Sequence, residues 1–428
     1  MTRNEEETIL TFCRTNDKIK PKHDFTINKH SVNVNGKEYK VDYVIQNKSQ
    51  AEVFSIVKNF VIKNGEMGYN CTVFAYGQTG SGKTYTIRGT HGNLGLIPRV
   101  LEYLHKKYDK MKISFVEIYN EILIDLCSEK REPLSIRETN SPNEHLSSVS
   151  NTIYVEGLNV FKSCNLKESM EFYSRGIRNR KISATKMNDA SSRSHAIFTI
   201  VFENNQNNVP KTSRLTFVDL AGSEKLKDSP NDTIVLENNK QFKETTNINK
   251  SLLYLGIIVN SLGKKDIKHV PYRDSKLTYL LKDSLGGNSK LCIIGNINLA
   301  FMADSVNTLQ FLQRVKMIKN KPTINYEIFD TNIKDAFCTL ENENLKLKRE
   351  LQVIKNSKKF KHSEIYSIKQ AKEEISTLQK DFADYKADLK EFFNQYYKKQ
   401  GFYKKIDEDI EEIKDLYKSE VKKYFKEI

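Results

Sequence analysis

Short apolar runs alternate with segments of helical spacing through the first three quarters of the chain. Five of the runs predict buried β-strands: 71–76, 113–118, 196–202, 213–220 and 290–297. Segments whose apolar residues recur with the period of a helix, such as 53–63 and 167–176, lie between several of these runs. This alternation predicts an α/β fold in which a mostly parallel central sheet carries helices on both faces.

The C-terminal part of the chain has a different pattern. Beyond Pro322 there is no further proline and a single glycine, Gly401, and lysine, glutamate, leucine and isoleucine are abundant. Such a segment, with almost no helix breakers, predicts a long helix, and we place the boundary near 322–332.

Apolar side chains in this segment recur at steps of three and four. With Asn344 they fill the core sites of a heptad repeat: Ile333, Phe337, Leu340, Leu347, Leu351 and Ile354. An asparagine at an a site favours a two-stranded coiled coil of fixed register. An amphipathic helix packed on its own globular domain would give a similar pattern. The length and charge of the segment favour the coiled coil, and with it a homodimer.

The charge of the chain is concentrated before this segment. The chain has 428 residues, with 69 basic and 54 acidic side chains and a formal net charge of +15. Residues 329–428 hold 22 basic and 20 acidic side chains, so residues 1–328 carry +13 of the excess. A basic globular part implies an acidic partner, which at this stage is a nucleic acid, an anionic membrane or an acidic protein surface.

Composition also narrows the compartment. No stretch approaches the ~20 apolar residues of a transmembrane helix, and the first residues lack the apolar region of a secretory signal. The six cysteines are scattered without metal-ligand spacing. This usage suits a reducing, intracellular compartment.

One motif carries a specific chemistry. Gly77-Gln-Thr-Gly-Ser-Gly-Lys-Thr84 fits the phosphate-binding P-loop pattern and follows the predicted strand 71–76, which is the context the motif requires. Its glycines let backbone N–H groups close around phosphates, Lys83 would reach the β- and γ-phosphates, and the Thr84 hydroxyl would take one Mg²⁺ position. A chance glycine-rich turn is the alternative.

Two further segments could sense the γ-phosphate. Asp219-Leu-Ala-Gly-Ser-Glu224 follows a predicted strand, so that Asp219 could hold Mg²⁺ through water and Gly222 could offer its N–H. Asn188-Asp-Ala-Ser-Ser-Arg-Ser-His195 precedes another strand, and its hydroxyls could line Mg²⁺ and an attacking water. Each segment alone is a weak signal, because a serine-rich turn is more often a helix cap or a loop.

Together the three segments resemble the kinesin motor domain, over residues 8–325. Further matching stretches are Gly95-Leu-Ile-Pro-Arg99, Phe115-Val-Glu-Ile-Tyr-Asn-Glu121, Asn247-Ile-Asn-Lys-Ser-Leu252 and Val270-Pro-Tyr-Arg-Asp-Ser-Lys-Leu-Thr278. The resemblance implies the kinesin motor fold, with ATP and Mg²⁺ as ligands and the microtubule as partner. It divides the chain into a motor domain at 1–320, a neck linker at 321–331 and a helical neck with a short coiled-coil stalk at 332–428.

The resemblance also implies a role for each motif residue. The triphosphate would be held by Gly77, Gln78, Thr79, Gly80, Ser81, Gly82, Lys83 and Thr84. Ser191 and Ser192 belong to the first switch segment (188–195), near Mg²⁺ and the water. Asp219, Gly222 and Glu224 belong to the second switch segment (219–224), and an Arg193–Glu224 ion pair would close the two. Hydrolysis would then rest on positioning and charge neutralisation, with no covalent nucleophile.

Tubulin contacts are implied in the later part of the motor domain. A helix beginning near Asn247 resembles the relay helix that faces tubulin. The implied contact residues are Asn247, Lys250, Lys264, Lys265, Lys268, His269, Arg273 and Lys276. A solvated surface charge is the alternative for each of them. Because the motor precedes the segment that resembles a neck linker, the resemblance favours plus-end-directed movement.

The sequence departs from the family pattern in two places. Kinesins usually carry C-R-x-R-P where the arginine and proline flank adenine, whereas this chain has Cys13-Arg-Thr-Asn-Asp17, which retains Arg14 alone. Tyr85 could still stack on the base. The second departure is the stretch 225–246, which is several residues longer than usual and has a loop-like composition.

The leading hypothesis is a microtubule-stimulated ATPase motor, located in the cytoplasm on the microtubule cytoskeleton, with the spindle as one location it allows. The alternative is a microtubule-binding structural or regulatory protein with weak nucleotide turnover, which the altered Asn16-Asp17 pair supports. A nucleic-acid-binding ATPase is disfavoured, because no RNA- or DNA-reading motif accompanies the basic charge.

Overall fold

The computed structural model describes residues 7–16, 25–139, 152–185, 190–204, 211–224, 240–264 and 269–325. Its central element is an eleven-stranded sheet. The strands of this sheet are β2 (Leu10–Thr15), β6 (Tyr43–Ile45), β7 (Cys71–Tyr76), β10 (Met111–Tyr119), β11 (Ile122–Asp125), β12 (Pro133–Thr139), β13 (Thr152–Glu156), β14 (Phe161–Ser163), β15 (His195–Asn204), β16 (Lys211–Asp219) and β17 (Lys290–Ile297). The predicted strands 71–76 and 290–297 have the same bounds in the structure.

The sheet is mixed, and this corrects the expectation of a mostly parallel one. Its order is β13-β12-β11-β10-β15-β16-β7-β17-β2-β6, with β14 beside β10. Strands β16, β7, β17, β2 and β6 are parallel, whereas the strands on the other side pair antiparallel. For β10 and β11 the reason is turn geometry: Asn120 and Glu121 both have positive φ, at 53° and 59°, and form a two-residue hairpin turn between these strands.

Smaller sheets lie outside the central one. They are β1 (Glu7–Thr8) with β18 (Lys319–Asn320), the three-stranded β3 (Phe25–Ile27), β4 (Ser31–Val34) and β5 (Lys37–Lys40), and β8 (Gly89–Thr90) with β9 (Asn93–Leu94). The β1–β18 pair is antiparallel and joins the beginning of the described chain to the segment that follows the last described helix.

The described helices are α1 (Gln50–Lys58), α2 (Asn64–Glu66), α3 (Lys83–Ile87), α4 (Leu96–Leu104), α5 (Leu166–Thr185), α6 (Ala190–Arg193), α7 (Lys240–Leu262), α8 (Lys276–Leu280) and α9 (Met302–Val315). A π-helical turn, Asn59–Lys63, joins α1 to α2. Ser49 and Glu52 form a capping box at the start of α1, which satisfies backbone donors that the first turn leaves unpaired.

Helix α7 begins earlier than the sequence indicated. It starts at Lys240 rather than near Asn247, and no glycine or proline occurs between Lys240 and Leu255 to end it. Residues 240–246, which the sequence assigned to a long loop, are therefore helical. The remainder of that loop, 225–239, lies outside the described residues, as does the helical stalk predicted at 332–428.

Helices cover both faces of the sheet, as expected. Neighbouring side chains of β7 point to opposite faces: Val73 and Ala75 pack in a core with α1, α4 and α5, and Phe74 packs in a second core with α7, α8 and α9. Gly176 allows α5 to lie close to β10, because a Cβ at this position would be 2.3 Å from Phe115 Cδ1. None of the helices in the described ranges has the length and apolarity needed to cross a membrane.

Candidate nucleotide-binding site

The predicted site residues meet at one edge of the sheet. The parallel strands β7, β16, β17 and β2 end at the same edge, and the loop 77–82, Asp219, Asn296 and Arg14 lie at those ends. Binding sites of open α/β sheets form at this edge. A cavity of about 620 Å³ opens here. It is lined by Arg14, Thr15, Asn16, Asn47, Lys48, Thr79, Gly80, Ser81, Gly82, Lys83, Thr84, Tyr85, Ser192 and Asn296.

Glycines give the loop 77–82 its path. Gly77, Gly80 and Gly82 have φ of 142°, 75° and 104°, which L-residues with side chains rarely adopt. A Cβ on Gly77 would lie 2.1 Å from the carbonyl oxygen of Asn296, whereas a Cβ on Gly80 would meet nothing within 4 Å. The loop is thus close-packed beneath and open towards the cavity, as a cradle for phosphate oxygens must be.

Lys83 lies buried at the base of this loop. Its Nζ donates a 2.7 Å hydrogen bond to the carbonyl oxygen of Gln78, and burial lowers its pKa to about 8 against the opposing charges of Asp219 and Glu224. The helix that follows, α3, is only five residues long. Phosphate binding would therefore depend on the loop amides and on Lys83 more than on a helix dipole.

Asp219 and Thr84 supply oxygen ligands that fit Mg²⁺. The Thr84 hydroxyl donates to Asp219 Oδ2 at 2.9 Å. Asp219 Oδ1 is buried and has no hydrogen-bond partner among the described residues, so a carboxylate oxygen beside the loop is left to accept a ligand. Carboxylate and hydroxyl oxygens are the donors that Mg²⁺ prefers, and Ser192 lines the same cavity.

A buried ion network holds Asp219, and the sequence did not reveal it. Arg180 of α5 places Nη1 2.9 Å from Asp219 Oδ2 and Nε 3.5 Å from Glu117 Oε1. Ser194 donates to the same Glu117 oxygen at 2.6 Å. Burial opposes the charge on Arg180, but Asp219 and Glu117 outweigh it and raise its pKa. Arg180 is one of several basic residues on α5, and the sequence does not distinguish it from those on the surface.

The two switch segments touch each other and the loop. The Gly222 N–H donates to the Ser192 carbonyl oxygen at 2.8 Å, and the Ser223 N–H donates to the Gly77 carbonyl oxygen at 3.1 Å. The Gly222 N–H, expected to face a phosphate, thus joins the two switches in this structure. Ser191 lies in α6, and its side chain is outside the described residues.

Glu224 contacts the loop directly. Its carboxylate accepts hydrogen bonds from the Thr79 N–H, at 2.8 Å, and from the Thr79 hydroxyl. A Cβ on Gly222 would lie 2.3 Å from Thr79 Oγ1 and 2.4 Å from each Glu224 carboxylate oxygen, so this contact requires glycine at 222. The Arg193–Glu224 ion pair remains a prediction.

Arg14 and Tyr85 both line the cavity, and they contact each other. Arg14 is buried, and its Nη1 donates to Gln50 Oε1 and to Thr86 Oγ1, at 2.8 Å each. Its guanidinium carbon lies 5.2 Å from the centroid of the Tyr85 ring. Arg14 therefore supports Tyr85 from within the protein. Asn16 donates to the Gly80 carbonyl oxygen at 3.1 Å, which ties the altered motif to the loop.

Comparison with known proteins identifies the family. The kinesin motor domain model matches residues 1–318. The chain belongs to the kinesin motor domain family. A solved structure of a fast kinesin shares 33% identity with a TM-score of 0.65, covering 76% of this chain and 95% of that one.

Curated relatives agree with this assignment. The chain is 41% identical over 307 residues to kinesin-like protein KIN-12G of Oryza sativa, 39% over 329 residues to KIF15 of Mus musculus and 38% over 359 residues to KIP1 of Saccharomyces cerevisiae. These matches cover 65%, 70% and 75% of this chain, but only 23%, 23% and 31% of the respective relatives. The chain thus spans about a quarter to a third of the relatives' length. Kinesin motor domains are ATP hydrolases.

The predicted tubulin contacts lie only partly within the described residues. Lys250, Lys264 and His269 are exposed, and Asn247 lies in α7, with its side chain outside the described residues. Lys265 and Lys268 also lie outside them. Lys276 is half-buried at the start of α8.

Arg273 already has a partner within the protein. Its Nη2 lies 2.8 Å from Glu138 Oε2, although 73% of the arginine side chain is exposed against 11% of the glutamate. Lys282 pairs with the same carboxylate. The two cations lower the pKa of Glu138. Arg273 is thus a less direct candidate for a tubulin contact than Lys250 or Lys264.

Residues 321–325, the described part of the predicted neck linker, contact the preceding domain through hydrogen bonds. After β18, the Lys321 N–H donates to the Gly287 carbonyl oxygen, and Thr323 donates from its N–H to Asn288 Oδ1. Asn325 donates from both its N–H and its Nδ2 to the carbonyl oxygen of Gly68, at 2.9 Å each. The segment 321–325 is therefore held on the core by a series of hydrogen bonds.

Proposed function

We propose that this chain hydrolyses ATP in a cycle that microtubules accelerate, and that it uses the energy to move along them. One observation supports the nucleotide part of this proposal. Hydrogen bonds beside one cavity join three separate segments, because Thr84 donates to Asp219 and Gly222 donates to Ser192. This arrangement supports a site in which the γ-phosphate changes the relation between the loop and both switches.

Positioning and charge account for the proposed hydrolysis. The amides of the loop 77–82 and Lys83 would hold the triphosphate, and Thr84, Ser192 and, through water, Asp219 would hold Mg²⁺. Mg²⁺ held there would supply charge neutralisation for the phosphate groups. Ser191 and Ser192 would orient the attacking water, Gly222 would offer its N–H to the γ-phosphate, and Arg193 with Glu224 would close the switches over the nucleotide. Every step uses pre-placed polar groups, and none forms a covalent bond to the protein.

Base recognition would rest on Tyr85 rather than on Arg14. The Arg14 guanidinium is hydrogen-bonded to Gln50 and Thr86 and lies 5.2 Å from the centroid of the Tyr85 ring, so Arg14 would act by holding the ring for stacking.

The acidic surface and tails of tubulin fit the charge of the motor part. Residues 1–328 carry a net charge of +13, and Lys250 and Lys264 are exposed on or beside α7. Long-range attraction of this kind raises the rate of encounter and weakens with salt.

We also propose a domain organisation and an assembly for the chain. The motor domain spans 1–320, the neck linker 321–331 and a helical neck and short stalk 332–428, through which two copies form a homodimer. Because the neck linker follows the motor, we propose plus-end-directed movement. The protein would act in the cytoplasm on the microtubule cytoskeleton, including the spindle.

A gliding assay on polarity-marked microtubules tests movement and direction together. Surface-bound full-length chain with ATP should drive microtubules with their minus ends leading, as a plus-end-directed motor does. Microtubules that bind without gliding would instead support the structural or regulatory alternative. Gliding with plus ends leading would contradict the proposed direction.

A further inference from the structure

His195 joins the second switch segment to helix α7 inside the protein. It lies at the start of β15 and is almost completely buried. Its Nδ1 lies 3.0 Å from the backbone nitrogen of Ala221, and its Nε2 lies 2.7 Å from Ser251 Oγ in α7. One imidazole ring thus contacts two elements that are 30 residues apart in the chain.

The hydrogen bonds fix the tautomer of this ring. The backbone N–H of Ala221 can only donate, so Nδ1 must accept and carry no proton. Nε2 then carries the proton of the neutral ring and donates to Ser251 Oγ. Burial, with Arg180 and Lys83 nearby, lowers the pKa of His195 to about 3, so the ring stays neutral and this polarity is retained at physiological pH.

The contact at Ala221 lies between two backbone hydrogen bonds of the second switch segment. The preceding Leu220 N–H donates to the Ala75 carbonyl oxygen at 3.3 Å, and the following Gly222 N–H donates to Ser192. Of the three successive N–H groups, only that of Ala221 is held by a side chain. A shift of Gly222 relative to Ser192 must therefore displace the backbone against His195.

The contact at Ser251 lies on the helix of the partner surface. Ser251 is buried and directly follows the exposed Lys250. Leu255 and Ile258, further along α7, are fully buried in the core of that face. The side of α7 that receives His195 is thus fixed to the motor core, and its opposite side carries the proposed tubulin contact.

We propose that His195 is a positioning residue that couples nucleotide state to the partner surface, through the chain Ala221–His195–Ser251. This inference rests on the proposed function, because it assumes that α7 faces microtubules. His195, the last residue of the first switch segment, would have this role without contacting the nucleotide or the partner.

Substitutions can remove one end of this linkage at a time. Ser251→Ala removes the α7 end and leaves the ring on Ala221. His195→Asn keeps an acceptor close to the position of Nδ1 but cannot reach Ser251. His195→Gln keeps a donor close to the position of Nε2 but loses the acceptor for Ala221. Ser305→Ala is the matched control. Ser305 lies in α9 and is also a buried serine, and its hydroxyl donates to the backbone carbonyl oxygen of Asn298.

The experiment is cosedimentation of the full chain with microtubules. The quantity measured is the ratio of the microtubule Kd with Mg²⁺·ADP to the Kd with Mg²⁺ and a non-hydrolysable ATP analogue. The expected result is a ratio reduced by about five-fold or more in both Ser251→Ala and His195→Asn, which is the lower range of allosteric coupling. The double variant should show no further reduction, because both changes break the same linkage.

Melting temperatures separate coupling from a purely structural role. Ser251→Ala and Ser305→Ala should lose similar stability, but Ser305→Ala should keep the wild-type ratio. A wild-type ratio in Ser251→Ala and His195→Asn would overturn the linkage and leave the proposed function standing. A wild-type chain whose microtubule affinity is the same in both nucleotide states would overturn the proposed function and the linkage together.

Discussion

Arg180 and Asp219 form a buried ion pair in the nucleotide site, with Arg180 Nη1 2.9 Å from Asp219 Oδ2. The same carboxylate oxygen accepts the hydrogen bond from Thr84. Arg180 also contacts Glu117, so a single guanidinium holds two buried carboxylates. The orientation of Asp219, and with it the proposed Mg²⁺ position, therefore depends on a helix outside all three sequence motifs.

Arg180→Gln should weaken both the fold and Mg²⁺-dependent nucleotide binding. Removing one partner of a buried pair leaves uncompensated carboxylates and costs about 3–5 kcal/mol of unfolding free energy. Denaturant unfolding and a Mg²⁺ titration of nucleotide affinity measure the two effects. The control is Arg137→Gln, which breaks an exposed pair with Glu156 and should leave stability almost unchanged. Equal losses in the two variants would contradict the role given to Arg180.

Nucleotide affinity should decline above pH 8 because of Lys83. Burial lowers the pKa of this lysine to about 8, so the free protein loses its charge as the pH rises through that value, whereas phosphate favours the charged form. Binding then takes up a proton, and affinity should fall by up to about ten-fold per pH unit above 8.

Equilibrium nucleotide binding between pH 6.5 and 9.5 measures this slope. The slope should be absent in Lys83→Arg, whatever its affinity, because arginine stays charged over the whole range. A flat wild-type profile would show that Lys83 does not titrate where its burial indicates.

Gly222→Ala should block hydrolysis while retaining nucleotide binding. The added Cβ would lie 2.4 Å from both Glu224 carboxylate oxygens, so the contact between Glu224 and Thr79 must break. We expect turnover to fall by about 10²–10³, the usual effect of removing one positioned polar contact from an active site. Gly256→Ala is the control, since a Cβ there meets nothing within 4 Å. Normal turnover in Gly222→Ala would contradict the proposed closure of the switches.

Asn325→Ala should release the neck segment without altering the nucleotide site. It removes the side-chain hydrogen bond to Gly68 and the one that Asn325 Oδ1 accepts from Asn288 Nδ2. Gliding should slow several-fold. ATP turnover without microtubules should stay within about two-fold of wild type, because the two lost hydrogen bonds contribute only about 1–3 kcal/mol to stability and lie outside the nucleotide site. Lys321→Ala, whose side chain is exposed, should glide normally.

The sequence predicts the elements of this fold better than their arrangement. Strands 71–76 and 290–297 were identified to the residue, because fully buried strands are continuous apolar runs bounded by turn residues. The antiparallel half of the sheet was not identified, since direction depends on turns such as Asn120-Glu121, and neither residue is a glycine. The early start of α7 was also missed.

The candidate site, too, is predicted from the sequence only in part. The loop 77–82 with Lys83 and Thr84 is a local motif, and the sequence contains all of it. Arg180, Glu117 and the linkage of His195 to Ser251 depend on tertiary packing. In the sequence, nothing distinguishes the arginine on α5 or the serine on α7 from surface residues, but the fold buries them beside Asp219 and His195. The sequence therefore predicts which residues meet the nucleotide, and the structure adds what holds them in place.

The most direct test of the central claim is steady-state ATP turnover by the full chain with and without microtubules. The proposed motor should turn over ATP at least about ten-fold faster with saturating microtubules, and Lys83→Ala should lose this increase because it removes the buried phosphate contact. Turnover in the wild-type chain that stays flat as microtubules are added would contradict the account.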